Sequence, residues 1–261
     1  MSEEADMNFE IEREIASYLE GSEKLMGVFK RLREDPRIKG LLDMSNIVLV
    51  HRLKYNDHGL THAMITTRNS LKILDILGPE IVVTEDWRDF EDSKLIVMVA
   101  SFLHDIGNAV HREEHELLSV TLARPLVEEI LRDYYGDPAK EVKIASMILE
   151  AIMCHMGRFE PTSIEAGVVA TADGCDMEKE RARIPFQLGR HDIHKFSALA
   201  VEEVRISRGE EKPLRITVGM RDPSGTFQVE EILLKKIRGV RFEGFVEVYA
   251  EIAGLERIRF I

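Results

Sequence analysis

Apolar residues recur at helical spacing along the first two hundred or so residues, which predicts a mainly α-helical fold. One predicted helix starts after the loop at 55–59 and ends at Gly78. Its apolar face carries Leu60, Met64, Leu71 and Leu74. The run from Leu95 to Leu103 is apolar on nearly every side, so it should form a helix that passes through the core. Ser93 is its predicted N-cap and Gly107 its predicted end.

The same spacing continues through three later segments. Residues 113–134 are predicted to form a helix that bends at Pro125. The dipeptide Asp137-Pro138 is typical of a helix start. The helix that it begins has an apolar stripe made of Val142, Ala145, Leu149 and Ile152. A last helix should run from residue 161 through about residue 180. Its inward face carries Val168, Val169 and Ala172.

The pattern changes beyond about residue 204. Residues 214–220 are rich in β-forming side chains, and residues 222–225 give a strong turn signal. Residues 229–237 have the spacing of a short helix. Residues 244–252 alternate with period two, as a half-buried strand does.

The predicted fold class is therefore mainly α, a helical bundle with a small C-terminal α+β element. We expect N-terminal helices that pack on the core, then a helical domain, then the α+β element. Their predicted bounds are residues 1–50, 51–203 and 204–261.

Composition supports a folded core and constrains the ligand. Of the 261 residues, 44% are hydrophobic and 31% are charged, so the chain can bury a core. The net charge of −12 would repel an extended phosphate backbone, so we expect no extended nucleic-acid binding. A small anionic substrate can still bind an acidic protein if a cation lies between them.

Cysteine usage and the apolar runs indicate a compartment. The two cysteines, Cys154 and Cys175, form no CxxC motif, so a reducing compartment is expected. The acidic start MSEEADMNFE lacks a signal-peptide core. The longest apolar run is about half the length of a membrane span. We therefore expect a cytoplasmic protein without membrane association.

Candidate chemistry is concentrated where His104 and Asp105 continue the buried surface of the core helix. A carboxylate at the end of a buried helix is costly unless it is paired or coordinated. Asp173, His155 and His62 lie on inward faces or first turns of three other predicted helices. Each residue alone could make an ordinary buried hydrogen bond. Together they indicate a divalent cation with imidazole and carboxylate ligands.

The order of these residues, His … His-Asp … Asp on separate helices, resembles the HD superfamily of metal-dependent phosphohydrolases. The resemblance is carried by His62 in GLTHAMITTRNSLKIL, His104-Asp105 in ASFLHDIGN and Asp173 in VVATADGCDM. It spans about residues 50 to 180, and the layout is similar to that of uncharacterised archaeal HD proteins. It implies that these four residues hold a catalytic metal ion.

A second ion is the next implication of the resemblance. HD proteins with two metals carry extra histidines between the His-Asp pair and the last Asp, and this chain has His111, His115 and His155 there. We expect His115 and His155 to bind a second ion, with Asp105 as the bridge, and His111 competes for the place of His115. One ion is implied and a second is allowed. Mn, Mg, Co, Ni, Fe and Zn all stay open.

The implied reaction is attack of a metal-bound hydroxide on a phosphate ester, with Asp105 at the metal. His58, one turn before His62, is expected either to donate to the substrate or to support a metal ligand. Arg181 and Arg183 follow the last predicted helix and are expected to bind phosphate, since a guanidinium matches phosphate geometry. Weaker candidates for this role are Lys54 and Arg68.

A nucleotide is the substrate that the resemblance favours, although no motif specifies the base, the sugar or the number of phosphates. Two other functions stay open. The first is a regulatory module that binds metal and nucleotide without turnover. The second is a di-iron oxygenase, which also occurs on HD-type scaffolds. Alternating apolar residues in 204–261 would allow a homodimer.

Overall fold

The structure is a computed structural model that describes residues 3–178 and 193–261. A helical bundle comes first in the chain and a small sheet follows it, which confirms the predicted fold class. Arg181 and Arg183 lie outside the described residues, so their binding of phosphate stays a prediction.

The helices of the bundle surround a central one, α6. In chain order they are α1 (Glu3–Leu19), α2 (Glu23–Glu34), α3 (Pro36–Asn46), α4 (Leu60–Leu77), α5 (Pro79–Val82), α6 (Phe90–Leu103), α7 (His115–Tyr134), α8 (Pro138–Cys154) and α9 (Ile164–Gly174). A further helix, α10 (Ile193–Ala200), packs on residues 223–228 of the C-terminal element. A π-helical turn (Ile47–Arg52) follows α3, and a 3₁₀ turn (Ile106–Ala109) follows α6. The apolar run of α6 is fully buried, as predicted, and packs against α2, α4, α8 and α9.

The start of α6 differs from the prediction. The helix begins at Phe90, because Asp89 and Asp92 form a capping box that satisfies the first backbone N–H groups. The prediction of Ser93 as N-cap is therefore wrong. Ser93 lies inside the helix, and its buried hydroxyl donates to Glu165 at 2.8 Å.

The end of α6 also differs. The helix stops at Leu103 rather than at Gly107, so His104 and Asp105 lie in the turn that follows it. Gly107 has another role: its N–H donates to the hydroxyl of Ser119 in α7 at 2.8 Å. A Cβ at Gly107 would lie 2.5 Å from the Ser119 backbone nitrogen, so glycine permits this close approach. The turn is thereby held against α7.

The later helices begin close to their sequence signals, although Val142, placed on the predicted apolar stripe of α8, is exposed. The dipeptide Asp137-Pro138 starts α8, with the Asp137 carboxylate accepting from the backbone N–H of Ala139. Pro125 lies inside α7, as predicted. The last predicted helix is shorter than expected. It is capped by Ser163 and ends at Gly174, and residues 176–178 are not helical.

The C-terminal sheet has four strands. In spatial order they are β1 (Val201–Arg208), β2 (Leu214–Met220), β3 (Val246–Ile252) and β4 (Ile258–Arg259). The pairs β1/β2 and β3/β4 are antiparallel, whereas β2 and β3 are parallel. The predicted strands at 214–220 and 244–252 match β2 and β3.

Parallel neighbours require a crossover connection, and residues 226–239 supply it. We name this helical segment α11. It consists of an α-helical start (Thr226–Gln228), a π-helical middle (Val229–Leu234) and an α-helical end (Lys235–Gly239). It covers the helix predicted at 229–237.

The sheet and α11 pack directly on the bundle. One hydrophobic cluster includes residues of both parts, among them Val168 of α9 and Phe242 after α11. A Cβ at Gly167 would lie 2.5 Å from the Phe242 ring, so glycine lets the ring rest on α9. The boundary at residue 204 stays a prediction. Each helix within the described ranges is too short or too polar to cross a bilayer.

Candidate metal centre

Ring nitrogens and carboxylate oxygens from three separate segments meet at one point in the bundle. Nε2 of His62, near the start of α4, lies 3.0 Å from Nε2 of His104 and 3.3 Å from Oδ2 of Asp105. Oδ1 of Asp173, near the end of α9, lies 3.4 Å from the His62 nitrogen and 3.8 Å from the His104 nitrogen. We name this group site 1. The sequence had singled out all four residues.

A second group adjoins the first. Nε2 of His115, the first residue of α7, lies 3.1 Å from Nε2 of His155 and 3.1 Å from Oδ1 of Asp105. The His155 nitrogen lies 3.7 Å from the same oxygen. We name His115, His155 and this oxygen site 2. Asp105 thus presents one oxygen to each site, which is how a bridging carboxylate is placed.

The second nitrogen of each ring in the two sites faces a hydrogen-bond acceptor. Nδ1 of His62 faces Oδ2 of Asp176 at 2.5 Å. The other Nδ1 atoms face backbone carbonyls: Ser101 for His104 (2.7 Å), Arg112 for His115 (3.1 Å) and Ile152 for His155 (2.6 Å). A proton on each Nδ1 satisfies these acceptors and leaves a lone pair on each Nε2.

The converging Nε2 lone pairs fit a cation. Lone pairs about 3 Å apart repel one another unless a proton or a metal ion lies between them. For metal–ligand bonds of about 2.1 Å, neighbouring ligand atoms lie about 3.0 to 3.4 Å apart. The contacts within sites 1 and 2 span 3.0 to 3.8 Å, close to that range. The ligand atoms of His62, His104 and Asp173 all lie within 4.8 Å of one another.

Burial and neighbouring charges together set the charge states of these groups. Burial by itself would raise the pKa of Asp105, but the neighbouring His104 holds it well below the usual range of a carboxyl. The pKa of Asp173 is also held well below its usual range against the effect of burial, chiefly by the ammonium of Lys236. Burial lowers the pKa of His155 to about 4. At neutral pH the carboxylates are ionised and His155 is neutral, the states that bind metal.

His58 occupies the more open side of the centre. Its Nδ1 contacts Oδ2 of Asp105, and its side chain is 14% exposed where that of Asp105 is 5% exposed. The backbone N–H of His58 donates to the side chain of Asn46 at 2.9 Å, which fixes the loop before α4. His58 is therefore placed beside the Asp105 carboxylate at the edge that solvent reaches.

Two residues at the centre were missed by the sequence reasoning. Asp176 orients His62 through the contact described above. Lys236 enters from α11: its ammonium contacts Oδ2 of Asp173 and lies 3.2 Å from the carbonyl oxygen of His155. A signal for Lys236 was present, since it follows Val229 and Leu233 on one helical face, and all three are buried.

The remaining candidates lie elsewhere. The side chain of His111 is exposed, and its Nδ1 accepts from the backbone N–H of Glu113 at 3.1 Å. The structure therefore does not bring His111 to site 2. Lys54 donates to the backbone of its own loop, at the His51 carbonyl, at 2.8 Å. Arg68 lies on α4 and faces Glu14 of α1 at 3.6 Å.

Comparison with known proteins gives consistent matches. Residues 59–178 match the HD domain family. The uncharacterized protein MJ1020 of Methanocaldococcus jannaschii is 42% identical over 251 residues, which are 95% of this chain and 94% of that protein. Ribonuclease Y of Nitratiruptor sp. is 25% identical over 80% of this chain but 37% of its own length. Ribonuclease Y of Symbiobacterium thermophilum is 29% identical over 52% of this chain and 22% of its own length. No solved structure matches the chain significantly.

Proposed function

Because this chain belongs to the HD-domain family, we propose that it is a metal-dependent phosphohydrolase that cleaves a phosphate ester. The observation that carries the proposal is the position of Asp105, whose two oxygens face the nitrogens of site 1 and of site 2. A phosphate ester needs positive charge nearby, and a chain with a net charge of −12 would provide it through bound cations.

We assign site 1 and site 2 to divalent metal ions. The residues that would hold them are His62, His104, Asp105 and Asp173 for the first ion, and Asp105, His115 and His155 for the second. Such ions supply polarisation of a phosphoryl oxygen and a lowered pKa of bound water. Mixed imidazole and carboxylate ligands suit Mn²⁺, Fe²⁺, Co²⁺, Ni²⁺ or Zn²⁺ better than Mg²⁺, which prefers oxygen ligands.

The chain's own contribution is to hold the carboxylates and to supply a proton. Asp105 is fixed from behind by Asn108, whose amide donates to Oδ1 of Asp105 at 3.0 Å. We assign His58 as the group that hydrogen-bonds the ester oxygen that leaves. Its Nδ1 is held by Asp105, so its Nε2 is the atom that would deliver a proton at the exposed edge.

A nucleotide is the proposed substrate. The similarity to two proteins named ribonuclease Y supports a phosphate ester of the nucleotide type, since a ribonuclease cleaves phosphodiester bonds between nucleotides. Cleavage of longer RNA is a second candidate, which the same similarity favours. The net charge of −12 opposes it, since long phosphate backbones are bound mainly through positive charge. We therefore rank mononucleotides and short nucleotide esters first.

The direct experiment begins with protein purified without chelator, followed by elemental analysis. Nucleotides, short oligoribonucleotides, long RNA and an aryl phosphate ester are then screened with Mn²⁺, Mg²⁺, Co²⁺ and Ni²⁺. Asp105→Ala and Asp105→Asn are the test variants. Asp86→Ala is the matched control, because Asp86 is an exposed aspartate outside the centre. Circular dichroism verifies that each variant is folded.

We expect turnover that depends on added metal, persists in Asp86→Ala and is lost in both Asp105 variants. Metal and nucleotide binding without turnover would instead make the protein a binding module. Iron retained by the protein together with oxygen-dependent chemistry would make it an oxygenase. Preferential cleavage of long RNA would select the second candidate substrate.

A further inference from the structure

Lys236 brings a positive charge from the C-terminal element into the metal centre. It lies on α11, outside the residues that match the HD domain family. Only 8% of the residue is exposed. Its ammonium contacts Oδ2 of Asp173, the oxygen of that carboxylate that does not face His62. It also lies 3.2 Å from the backbone carbonyl of His155 in site 2.

Close backbone packing fixes the position of this lysine. A Cβ at Gly157 would lie 3.2 Å from Cα of Lys236, and Gly157 has a φ of +69°, which favours glycine. A Cβ at Gly239 would clash with the carbonyl oxygen of Gly157. Paired glycines therefore let α11 rest against the loop after α8. The backbone of Lys236 is therefore fixed by its surroundings, which keeps the ammonium at Asp173, whereas a lysine on the surface would be flexible.

We propose that Lys236 is a positioning residue that acts as an internal counter-ion: it holds Asp173 in its binding position while the centre is free of metal, and it lowers the affinity for the metal that replaces it. The proposal rests on the metal centre of the proposed function. It gives the C-terminal element a defined role, because this element supplies the charge that compensates Asp173.

The sign of the effect follows from charge. In the metal-free protein, the buried carboxylate of Asp173 depends on Lys236 for its compensating charge, and a buried charge that loses its partner is costly. In the metal-loaded protein the ion compensates Asp173, so loss of Lys236 costs less. Lys236 and a metal ion also carry like charges close together. Both effects predict that removal of the ammonium destabilises the metal-free form more than the loaded form and tightens metal binding.

The experiment compares Lys236→Met, Lys236→Arg and Lys235→Met with the wild type. Lys235 is the matched control, since it is the preceding lysine of the same helix but is 64% exposed and pairs with Glu231 on the surface. Each protein is stripped with chelator and dialysed. Mn²⁺ is then titrated by calorimetry, and the melting temperature is measured with and without Mn²⁺. No substrate is needed, so the result does not depend on whether the proposed hydrolysis is found.

We expect Lys236→Met to lower the melting temperature of the metal-free protein by about 5 °C or more, with a smaller loss when Mn²⁺ is bound. Its dissociation constant for Mn²⁺ should fall by about 10-fold. The variant loses more stability without Mn²⁺ than with it, and by linkage this difference is a gain in Mn²⁺ affinity. Lys236→Arg should stay close to wild type, and Lys235→Met should change neither quantity. A Lys236→Met protein that folds only when Mn²⁺ is present would be the extreme form of this result.

Equal loss of stability in the two forms, or binding of Mn²⁺ that is unchanged or weaker, would overturn the proposal. Lys236 would then serve the fold or the orientation of Asp173 alone. If Lys236→Met folds in neither condition, Lys236→Gln is tested by the same criteria. The wild-type protein could hydrolyse phosphate esters while Lys236→Met shows no change in Mn²⁺ affinity. This pair of results would refute the inference about Lys236 and would leave the proposed function unaffected.

Discussion

Oδ1 of Asp105 lies 3.1 Å from Nε2 of His115, and this contact joins the end of α6 to the start of α7. The contact lies where α6 has stopped at Leu103, which leaves Asp105 in the turn between the two helices. The other oxygen faces His62 at 3.3 Å. A single carboxylate thereby connects two groups of imidazole nitrogens.

The first prediction separates the two sites. His115→Ala should reduce the metal content at saturation from two ions to one, because site 2 loses a nitrogen and site 1 keeps its four candidate ligands. Loss of a direct ligand should also lower phosphohydrolase activity by more than about 100-fold. Even the loss of a residue that only hydrogen-bonds a metal ligand lowers metal affinity or activity by about 10- to 100-fold. Metal content after equilibrium dialysis is the measurement.

His111→Ala is the control for this prediction, because His111 is exposed and its side chain contacts its own loop. It should keep two ions and wild-type activity. An unchanged metal content in His115→Ala, or loss of an ion in His111→Ala, would reverse the assignment.

These histidines show what the sequence could resolve. His104, His155 and Asp173 could be singled out because each continues an apolar helical pattern, and His62 because it lies in the first turn of a predicted helix. His115 was preferred to His111 only through the resemblance, since the two histidines are four residues apart in a charged stretch. The structure separates them through Glu114, whose left-handed backbone (φ 56°) immediately precedes the start of α7. A single backbone conformation of this kind leaves no trace in a hydrophobic pattern.

The second prediction concerns Asp176, which faces Nδ1 of His62 at 2.5 Å. Asp176→Asn keeps the shape of the side chain but removes the charge that holds the His62 ring and favours a lone pair on its Nε2. The affinity of site 1 for Mn²⁺ should fall by about 10- to 100-fold while site 2 is little changed. Calorimetric titration measures both sites, and Asp86→Asn serves as the control. Equal affinities in Asp176→Asn and wild type would remove Asp176 from the centre.

Lys236 and Asp176 mark the limit of prediction from this sequence. Asp176 follows the end of α9 at Gly174, and its partner His62 lies in α4, 114 residues away along the chain. Lys236 reaches Asp173 only because α11 folds back from the C-terminal element. Helical periodicity describes one segment at a time, whereas these contacts arise from how distant segments pack. The bundle and most of site 1 were accessible from periodicity, but these supporting contacts were not.

The third prediction is a stability test away from the centre. Arg88 and Glu165 form a buried ion pair, with side chains 2% and 0% exposed. Arg88 also donates to the hydroxyl of Ser93 at 2.6 Å. Arg88→Met should lower the free energy of unfolding by about 3 to 5 kcal/mol, because it leaves the Glu165 carboxylate buried without its partner.

Arg124→Met is the comparison for Arg88→Met, since Arg124 is 69% exposed and pairs with Glu128 one helical turn away. Its loss should leave the free energy of unfolding close to the wild-type value, because exposed ion pairs contribute little to stability. Urea denaturation of both variants provides the values. The double variant Arg88→Met, Glu165→Leu should recover part of the loss, since no unpaired charge then remains in the core. Similar values for Arg88→Met and Arg124→Met would show that the buried pair contributes no more than a surface pair.

The last prediction is a pH dependence of the metal-free protein. The folded-state pKa of His155 is lowered to about 4 by burial, whereas an unfolded histidine has a pKa of about 6.5. Between these values the unfolded chain binds a proton that the folded chain does not bind. Stability is therefore fully present above about pH 6.5 and is lost as the pH falls toward about 4, by up to about 3 kcal/mol. The lowered pKa values of Asp105 and Asp173 add losses only at lower pH, because an unfolded aspartate titrates near about 3.9.

Urea denaturation of chelator-treated protein at several pH values between about 7 and 4.5 tests this slope. His155→Asn removes the titrating group, so its stability should depend less on pH over this interval. His111→Ala should retain the wild-type slope, because the exposed imidazole of His111 is outside the buried centre. With saturating Mn²⁺, the free energy of unfolding should also fall as the pH falls, since protons compete with metal for the ring nitrogens. If the stability of His155→Asn falls with pH as steeply as that of the wild type, other groups cause the loss of stability. His155 would then not determine the acid stability of the protein.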